Sequence, residues 1–192
     1  MTKRCKWADS NKLMKEYHDK EWGTPQYDDK NLYELLILEG MQAGLSWNTV
    51  LQKRNNFRRV FDNFDYNKIV RYKENKIEEL MQNKGIIRNR LKIQSVITNA
   101  KSFINVQEEF GSFNKYIWDF VNNKSVHNTW KKLEDLPPNT ELSNKISNDM
   151  KKRGFKFIGT TIIYSFLQAI GVVNDHTIDC FRYKELVNSP QI

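Results

Sequence analysis

The chain has no run of roughly 18 or more apolar residues, so none of its 192 residues reads as part of a membrane span. Its first residues, Met1-Thr2-Lys3-Arg4-Cys5-Lys6-Trp7, lack the apolar stretch of a secretory signal. The expected location is therefore the cytoplasm. Cysteine is scarce: Cys5 and Cys180 stand almost at opposite ends. A reducing compartment argues against a disulfide between them and leaves buried small hydrophobes as the plain reading. Alternating strands of convincing length, internal repeats and low-complexity tracts are also missing. These absences exclude a sheet-built fold and a repeat array.

The residues that are present point to helices. Hydrophobic residues make up 39% of the chain and aromatics 12%, enough for a packed core and too much for disorder. The length suits one compact domain or two small lobes sharing a core. Asp9 or Ser10 can cap a first helix through Leu13 towards Tyr17. Asp28 or Asp29 can cap a second, with Leu32, Leu35, Leu36 and Leu38 at helical spacing. Ser46 can cap a third carrying Trp47, Val50, Leu51 and Phe57. Short helices are expected around Ile69 and Ile77–Leu80. The longest is predicted from near Ile87 to about Phe110, with one buried stripe through Ile93, Val96, Ile97, Ala100, Phe103 and Ile104. Another covers Asn114–Val121. Pro137-Pro138 marks a loop, and Thr140 can cap the next helix.

The net charge is +8. Such a surplus favours a nucleic-acid partner through counterion release, although many basic proteins bind nothing acidic. A more local signal lies near the end. A helix through Leu142, Ile146 and Met150 ends at Lys151-Lys152-Arg153-Gly154, and Phe155–Gly159 is short and bounded by glycines. Thr160-Thr161 then opens an apolar helix. This is the layout of a helix-hairpin-helix unit at about 144–170. Free amides at the second helix's N-terminus can hold a phosphate, with Lys151, Lys152, Arg153 and Lys156 adding charge. An ordinary helical hairpin with a solvated basic end has the same pattern.

Two constellations carry chemistry. Cys5 and His18 lie near one terminus, and His176 and Cys180, four apart, near the other. Two cysteines and two histidines make a closed tetrahedral zinc shell, although four scattered ligands can also be coincidence. Glu39 ends the apolar stretch Leu35-Leu36-Ile37-Leu38, with Trp7, Tyr17, Trp22 and Trp47 nearby in sequence. It is either a surface carboxylate on the helix's polar face or a buried acceptor. Rings around a buried acid suit a purine pocket, stacking on the base while the acid accepts from an exocyclic amine or cationic ring.

Tyr17-His18-Asp19-Lys20-Glu21-Trp22-Gly23 resembles the first signature of bacterial 3-methyladenine DNA glycosylase I, a helix-hairpin-helix glycosylase family. Leu38-Glu39-Gly40-Met41-Gln42-Ala43-Gly44-Leu45-Ser46-Trp47 resembles its second motif, and Gly85–Ile93 its third. Arg153–Thr161 is similar to its hairpin and Val173–His176 to its final segment. The resemblance spans nearly the whole chain to Cys180. It implies an all-α, single compact domain over residues 1–192, with a zinc site joining the N- and C-terminal segments. It implies that Cys5, His18, His176 and Cys180 hold one structural zinc, while His127 is structural. Glu39 becomes the catalytic or base-recognising carboxylate, with Tyr17 and Trp47 as base-contacting rings and Trp7 and Trp22 as further pocket wall or core. Met14 stands where members often place another aromatic. Gly44-Leu45 becomes a wedge filling the space of an extruded nucleotide, although Leu45 also reads as a buried residue at a helix start. Gly159, Thr160, Thr161 and Lys156 become DNA contacts.

The implied activity is hydrolysis of the N-glycosidic bond of 3-methyladenine in double-stranded, alkylated DNA. The protein is expected to act as a monomer at the bacterial nucleoid. No lysine stands out as a Schiff-base nucleophile, so the product is an abasic site with the strand intact. Asp175 is expected to orient His176 rather than to activate water. Two rival readings stand beside this one: a helix-hairpin-helix glycosylase for another lesion, and a zinc-stabilised DNA-binding module without enzymatic activity.

Overall fold

Helix α2 (Asp29–Gln42) is the axis around which the chain is wound, and every residue from Leu32 to Met41 is buried. A helix with no solvent face needs neighbours on all sides. In the computed structural model, which describes residues 2–189, these are α3 (Trp47–Val60), α6 (Arg90–Phe110), α7 (Phe113–Asp119) and α9 (Thr160–Ala169). Met1 and residues 190–192 of the expected domain lie outside the described residues. Helix α1 (Lys12–Lys20) comes after a 3-10 turn at Lys6–Ser10 and rests on α3. Short helices α4 (Tyr66–Ile69) and α5 (Glu74–Gln82) pack on α6, α8 (Glu141–Lys152) pairs with α9, and α10 (Phe181–Val187) ends the described chain.

The expected all-α class holds. Among the described residues, strand is limited to a two-residue parallel pair, β1 (Val126–His127) with β2 (Val173–Asn174). No helix among the described residues is long and apolar enough to cross a membrane. Three predicted caps are in place. Asp28 accepts from the Asn31 amide at 2.9 Å, Ser46 from Thr49 at 3.2 Å and Thr140 from Ser143 at 3.2 Å, each pairing an amide that the first turn leaves without a partner.

Two starts differ from expectation. Helix α1 is capped by Asn11, whose side chain accepts from the Met14 amide at 3.0 Å, because Asp9 and Ser10 are used up in the preceding 3-10 turn. Helix α6 begins at Arg90 rather than near Ile87, because Asn89 takes the Lys92 amide at 3.1 Å and so sets the first turn. On α6 the stripe of Ile93, Val96, Ala100 and Phe103 is buried as read, whereas Ile97 and Ile104 are half-buried. A second, polar set on the same helix is buried too: Lys92, Ser95, Asn99 and Ser102.

Candidate functional site

Five segments converge on a cavity of about 300 Å³: the N-terminal turn (Trp7), α1 (Met14, Tyr17) and Trp22 just beyond it, α2 (Glu39, Gln42), Trp47 at the start of α3, and α9 (Ser165, Gln168). Leu133 and Leu136, from the irregular segment before α8, complete the lining. Thus Glu39, Tyr17, Trp47, Trp7, Trp22 and Met14 line one pocket, and Trp7 and Trp22 are wall as well as core. The Tyr17 and Trp47 rings lie 5.3 Å apart, and Trp7 meets Trp22 edge-on at 5.1 Å.

The pocket's chemistry lies in its unpaired atoms. Among the described residues, four buried side-chain polar atoms lack a hydrogen-bond partner: Tyr17 Oη, Glu39 Oε2, Trp47 Nε1 and Arg182 Nε. Three of the four line this cavity. A buried polar group without a partner costs about 1–3 kcal/mol, so such clustering marks a surface prepared for a ligand with both donors and acceptors. Glu39 is 4% exposed, and burial pushes its carboxyl up to about 8. Burial, and next the nearby Glu39, raises the Tyr17 hydroxyl well above its ordinary value, so it stays a donor. Among the described residues, no lysine lines the cavity.

Beside the pocket, the side chains of Cys5, His18, His176 and Cys180 are fully buried, and their donor atoms all fall within 4.8 Å of one another. Cys5 Sγ lies 3.5 Å from His176 Nδ1, and Cys180 Sγ lies 3.5 Å from both His176 Nδ1 and His18 Nε2. A tetrahedral ion with Zn–S near ~2.3 Å and Zn–N near ~2.05 Å would hold sulfur and nitrogen at ~3.6 Å. The remaining ring nitrogens are held as well: His18 Nδ1 by Asp19 Oδ1 at 2.8 Å and His176 Nε2 by the Trp22 carbonyl at 3.0 Å. Arg4 grips that Asp19 carboxylate through Nε and Nη2. This orients both rings as metal-binding histidines require. Facing each other, the thiols are driven apart in acidity: Cys180 falls, chiefly through its hydrogen bond with Cys5, and Cys5 rises. The donor set fits zinc. Gly23, at φ +78°, is required here, since a Cβ would stand 3.0 Å from His176 Nε2.

Two expectations are corrected. Asp175 does not touch the His176 ring. Its carboxylate accepts from Asn128 at 2.6 Å, Trp130 at 2.7 Å, Gln168 at 2.7 Å and the Tyr164 hydroxyl. Four donors saturate it, so it ties the end of β2 to α9 and to the segment after β1, and the carboxylate bonded to a histidine of the cluster is Asp19. Arg153 does not add free charge to the hairpin. It pairs with Asp149 and Glu109 and lies over Phe110 and Tyr116.

Leu45 is 42% exposed, so its reading as a buried helix-start residue does not hold. Gly44 precedes it at φ +76° with open space around it. Gly44 and Leu45 border a second, smaller cavity that also takes in Glu39 and Thr161. Gly159 caps α9 without a side-chain bond, Thr161 and Lys156 are exposed and Thr160 is half-buried. His127 is hydrogen-bonded with Asn174 at 3.1 Å, outside the four-ligand cluster.

Residues 7–183 match the family described as Methyladenine glycosylase. The chain is 46% identical over 180 residues to DNA-3-methyladenine glycosylase 1 of Escherichia coli K12, covering 94% of this chain and 96% of that one. It superposes on a crystal structure of 3-methyladenine DNA glycosylase I with TM-score 0.91 at 46% identity, covering 93% and 98% of the two chains. The Staphylococcus aureus enzyme, solved to show the structural basis of 3-methyladenine recognition, superposes with TM-score 0.90 at 32% identity, covering 93% and 95%.

Proposed function

The chain belongs to the methyladenine glycosylase family, and we propose how its pocket performs the family's reaction, the release of 3-methyladenine from alkylated DNA. The observation that carries this reading is the trio of unpaired buried atoms, Glu39 Oε2, Tyr17 Oη and Trp47 Nε1, in one aromatic cavity. Methylation at N3 makes the nucleotide's base cationic and weakens its bond to deoxyribose, so no acid is needed to protonate the leaving group. Catalysis then reduces to extruding the nucleotide, holding the cationic base and letting water attack the sugar. Glu39 faces the base as counter-charge and acceptor, Tyr17 and Trp47 supply ring surface and donors, and Trp7, Trp22 and Met14 close the walls. Because no lysine among the described residues lines the cavity, the product is an abasic site and the strand stays intact.

One zinc held by Cys5, His18, His176 and Cys180 is the proposed scaffold. A closed shell of four protein ligands offers no position for a reacting water. The hairpin between α8 and α9 (residues 144–170) engages double-stranded DNA through Lys156, Gly159, Thr160 and Thr161, where open amides begin a ten-residue helix. Leu45 enters the space left by the extruded nucleotide. The protein works as a monomer in the bacterial cytoplasm, at the nucleoid.

Chromatography of bases released from methylated DNA tests the whole reading. Free 3-methyladenine without 7-methylguanine is expected, with no borohydride-trapped adduct. Protein that holds zinc and DNA yet releases no base is the outcome expected of a binding module. Leu45→Gly should lower excision from duplex DNA by about tenfold, the scale of a lost apolar contact on the extruded state, with free-base affinity unchanged. Equal excision by the variant removes Leu45 from the wedge role.

A further inference from the structure

Helix α2 ends at Gln42, where the regular ladder of carbonyls runs out; the Gly40 carbonyl accepts from the Ala43 amide at 3.4 Å and the Gln42 carbonyl from the Leu45 amide at 2.6 Å. Two carbonyls at this end are met by one side chain from another helix: Lys92 Nζ donates to the Met41 carbonyl at 2.9 Å and to the Ala43 carbonyl at 2.6 Å. Lys92 is 6% exposed. A lysine this deeply buried is uncommon, and a cation at a helix C-terminus is favoured by the helix dipole. Its ammonium is spent on backbone rather than on the pocket, which it does not line. The segment it holds runs directly from Glu39 into Gly44-Leu45.

The same face of α6 also holds the hairpin. Lys92, Ser95, Asn99 and Ser102 recur at three- and four-residue steps and so lie in one row. Seven residues beyond Lys92, Asn99 brackets Lys156: its Nδ2 donates to the Lys156 carbonyl at 3.0 Å, and its Oδ1 accepts from the Lys156 amide at 2.7 Å. Ser102 Oγ lies 3.2 Å from where a Cβ on Gly154 would stand. The two backbone segments also approach directly, since a Cβ on Gly40 would meet the Phe157 carbonyl at 3.4 Å. One rigid helix thus fixes the end of α2 and the hairpin turn against each other.

We infer that Lys92 is a positioning residue for nucleotide extrusion: from α6 it holds the Met41 carbonyl of α2 and the Ala43 carbonyl just beyond it, and so sets where Gly44-Leu45 stands relative to the hairpin. This rests on the reading of Leu45 as the wedge. Lys92 touches neither the base nor the sugar, so it acts on the step that needs the DNA backbone and the wedge engaged together, and not on the pocket's hold on a free base. A small displacement of a positioned group can cost up to ~10²-fold in rate, and loss of the ammonium leaves two carbonyls without a partner.

The test is a double-mutant cycle of Lys92→Met and Leu45→Gly, with Lys92→Arg as the conservative variant, at a temperature where circular dichroism shows every variant folded. Single-turnover excision from duplex DNA, fluorescence of 2-aminopurine beside the lesion and calorimetric affinity for free 3-methyladenine are read together. Lys92→Met is expected to lower duplex excision and the extrusion signal by about tenfold or more, with free-base affinity within about twofold. Lys92→Arg should recover most of the loss. In the Leu45→Gly background, Lys92→Met should cost less than about threefold, because residues acting through one another are not additive. Parallel loss of free-base affinity makes Lys92 a merely structural residue. Full additivity with Leu45→Gly, or no effect of Lys92→Met, overturns the inference while leaving the wedge standing. A Leu45→Gly variant with undiminished duplex excision removes the wedge itself, and the inference with it.

Discussion

Glu39→Gln is expected to lower excision of 3-methyladenine by about 10²-fold, the scale of one lost electrostatic contact to developing or resident charge, and at the same time to stabilise the protein above neutral pH. Both effects have one cause. Glu39 is buried without a partner for Oε2, and burial pushes its carboxyl from 4.5 up to about 8. Between these values the folded protein keeps a proton that the unfolded chain has lost. Stability linked to Glu39 is therefore fully present below pH 4.5 and is lost as pH rises through about 8. A shift of this size corresponds to about 5 kcal/mol at its limit. Glutamine has the same shape and no proton to lose, so the variant should overtake the wild type as pH increases. Calorimetry at pH 5.5 and 8.5 measures the gap, which should widen towards the higher pH. The same linkage governs catalysis. A cationic base favours the carboxylate, so below about pH 8 its capture must expel the Glu39 proton. The wild-type kcat/KM for lesion DNA should rise from pH 6 to about 8 and level off, and Glu39→Gln should flatten that rise. Parallel stability profiles for the two proteins would falsify the assignment of Glu39 as a buried neutral acid.

How far the sequence discloses this site depends on the range of each interaction. Caps are local, and Asp28, Ser46 and Thr140 announce themselves by residue type. They fail only where two local motifs compete, as Asp9 and Ser10 do with Asn11. Burial of Glu39 is not local. Periodicity offers a polar face to any charged residue, yet α2 has no such face because helices surround it. The four-ligand cluster joins residues 171 apart in sequence, where spacing carries little information and only the family resemblance lifts it above coincidence. Leu133 and Leu136 reach the pocket from a segment with no regular element except a three-residue 3-10 turn, so no pattern exposes them. Ser165 and Gln168 are hidden differently: three apart on α9, they look like the hydrophilic side of an amphipathic helix. Lys92 falls inside the segment Gly85–Ile93, yet its residue type conceals its part in the fold, since a lysine in a sequence reads as solvent-facing.

Cys5→Ser and His176→Ala are expected to reduce bound zinc from about one per chain to a small fraction and to destabilise the fold by on the order of 5 kcal/mol, between a lost long-range cross-link and the full metal-binding energy of small zinc domains. The size reflects the segments that the cluster joins. Cys5 belongs to an N-terminal segment otherwise fastened by Arg4 to Asp19 at 2.8 Å, Lys3 to Asp179 at 2.5 Å and the Phe181 amide to the Lys3 carbonyl at 2.9 Å. The Lys3 pair is too exposed to contribute much. Removing one ligand loosens that segment and leaves three donors buried without their common partner: one cysteine and two imidazoles in Cys5→Ser, two cysteines and one imidazole in His176→Ala. The pocket then suffers through packing rather than chemistry: Trp7 rests edge-on against the His18 ring at 5.2 Å, and Trp22 against His176 at 4.6 Å. Affinity for free 3-methyladenine should consequently fall alongside stability in the Cys5 and His176 variants, whereas Glu39→Gln should lose affinity while zinc content stays at one. Metal quantification, chemical denaturation and base binding on the same preparations separate the two patterns. Wild-type protein that refolds without zinc to the stability it has with zinc would show that the ligands are only well-packed core.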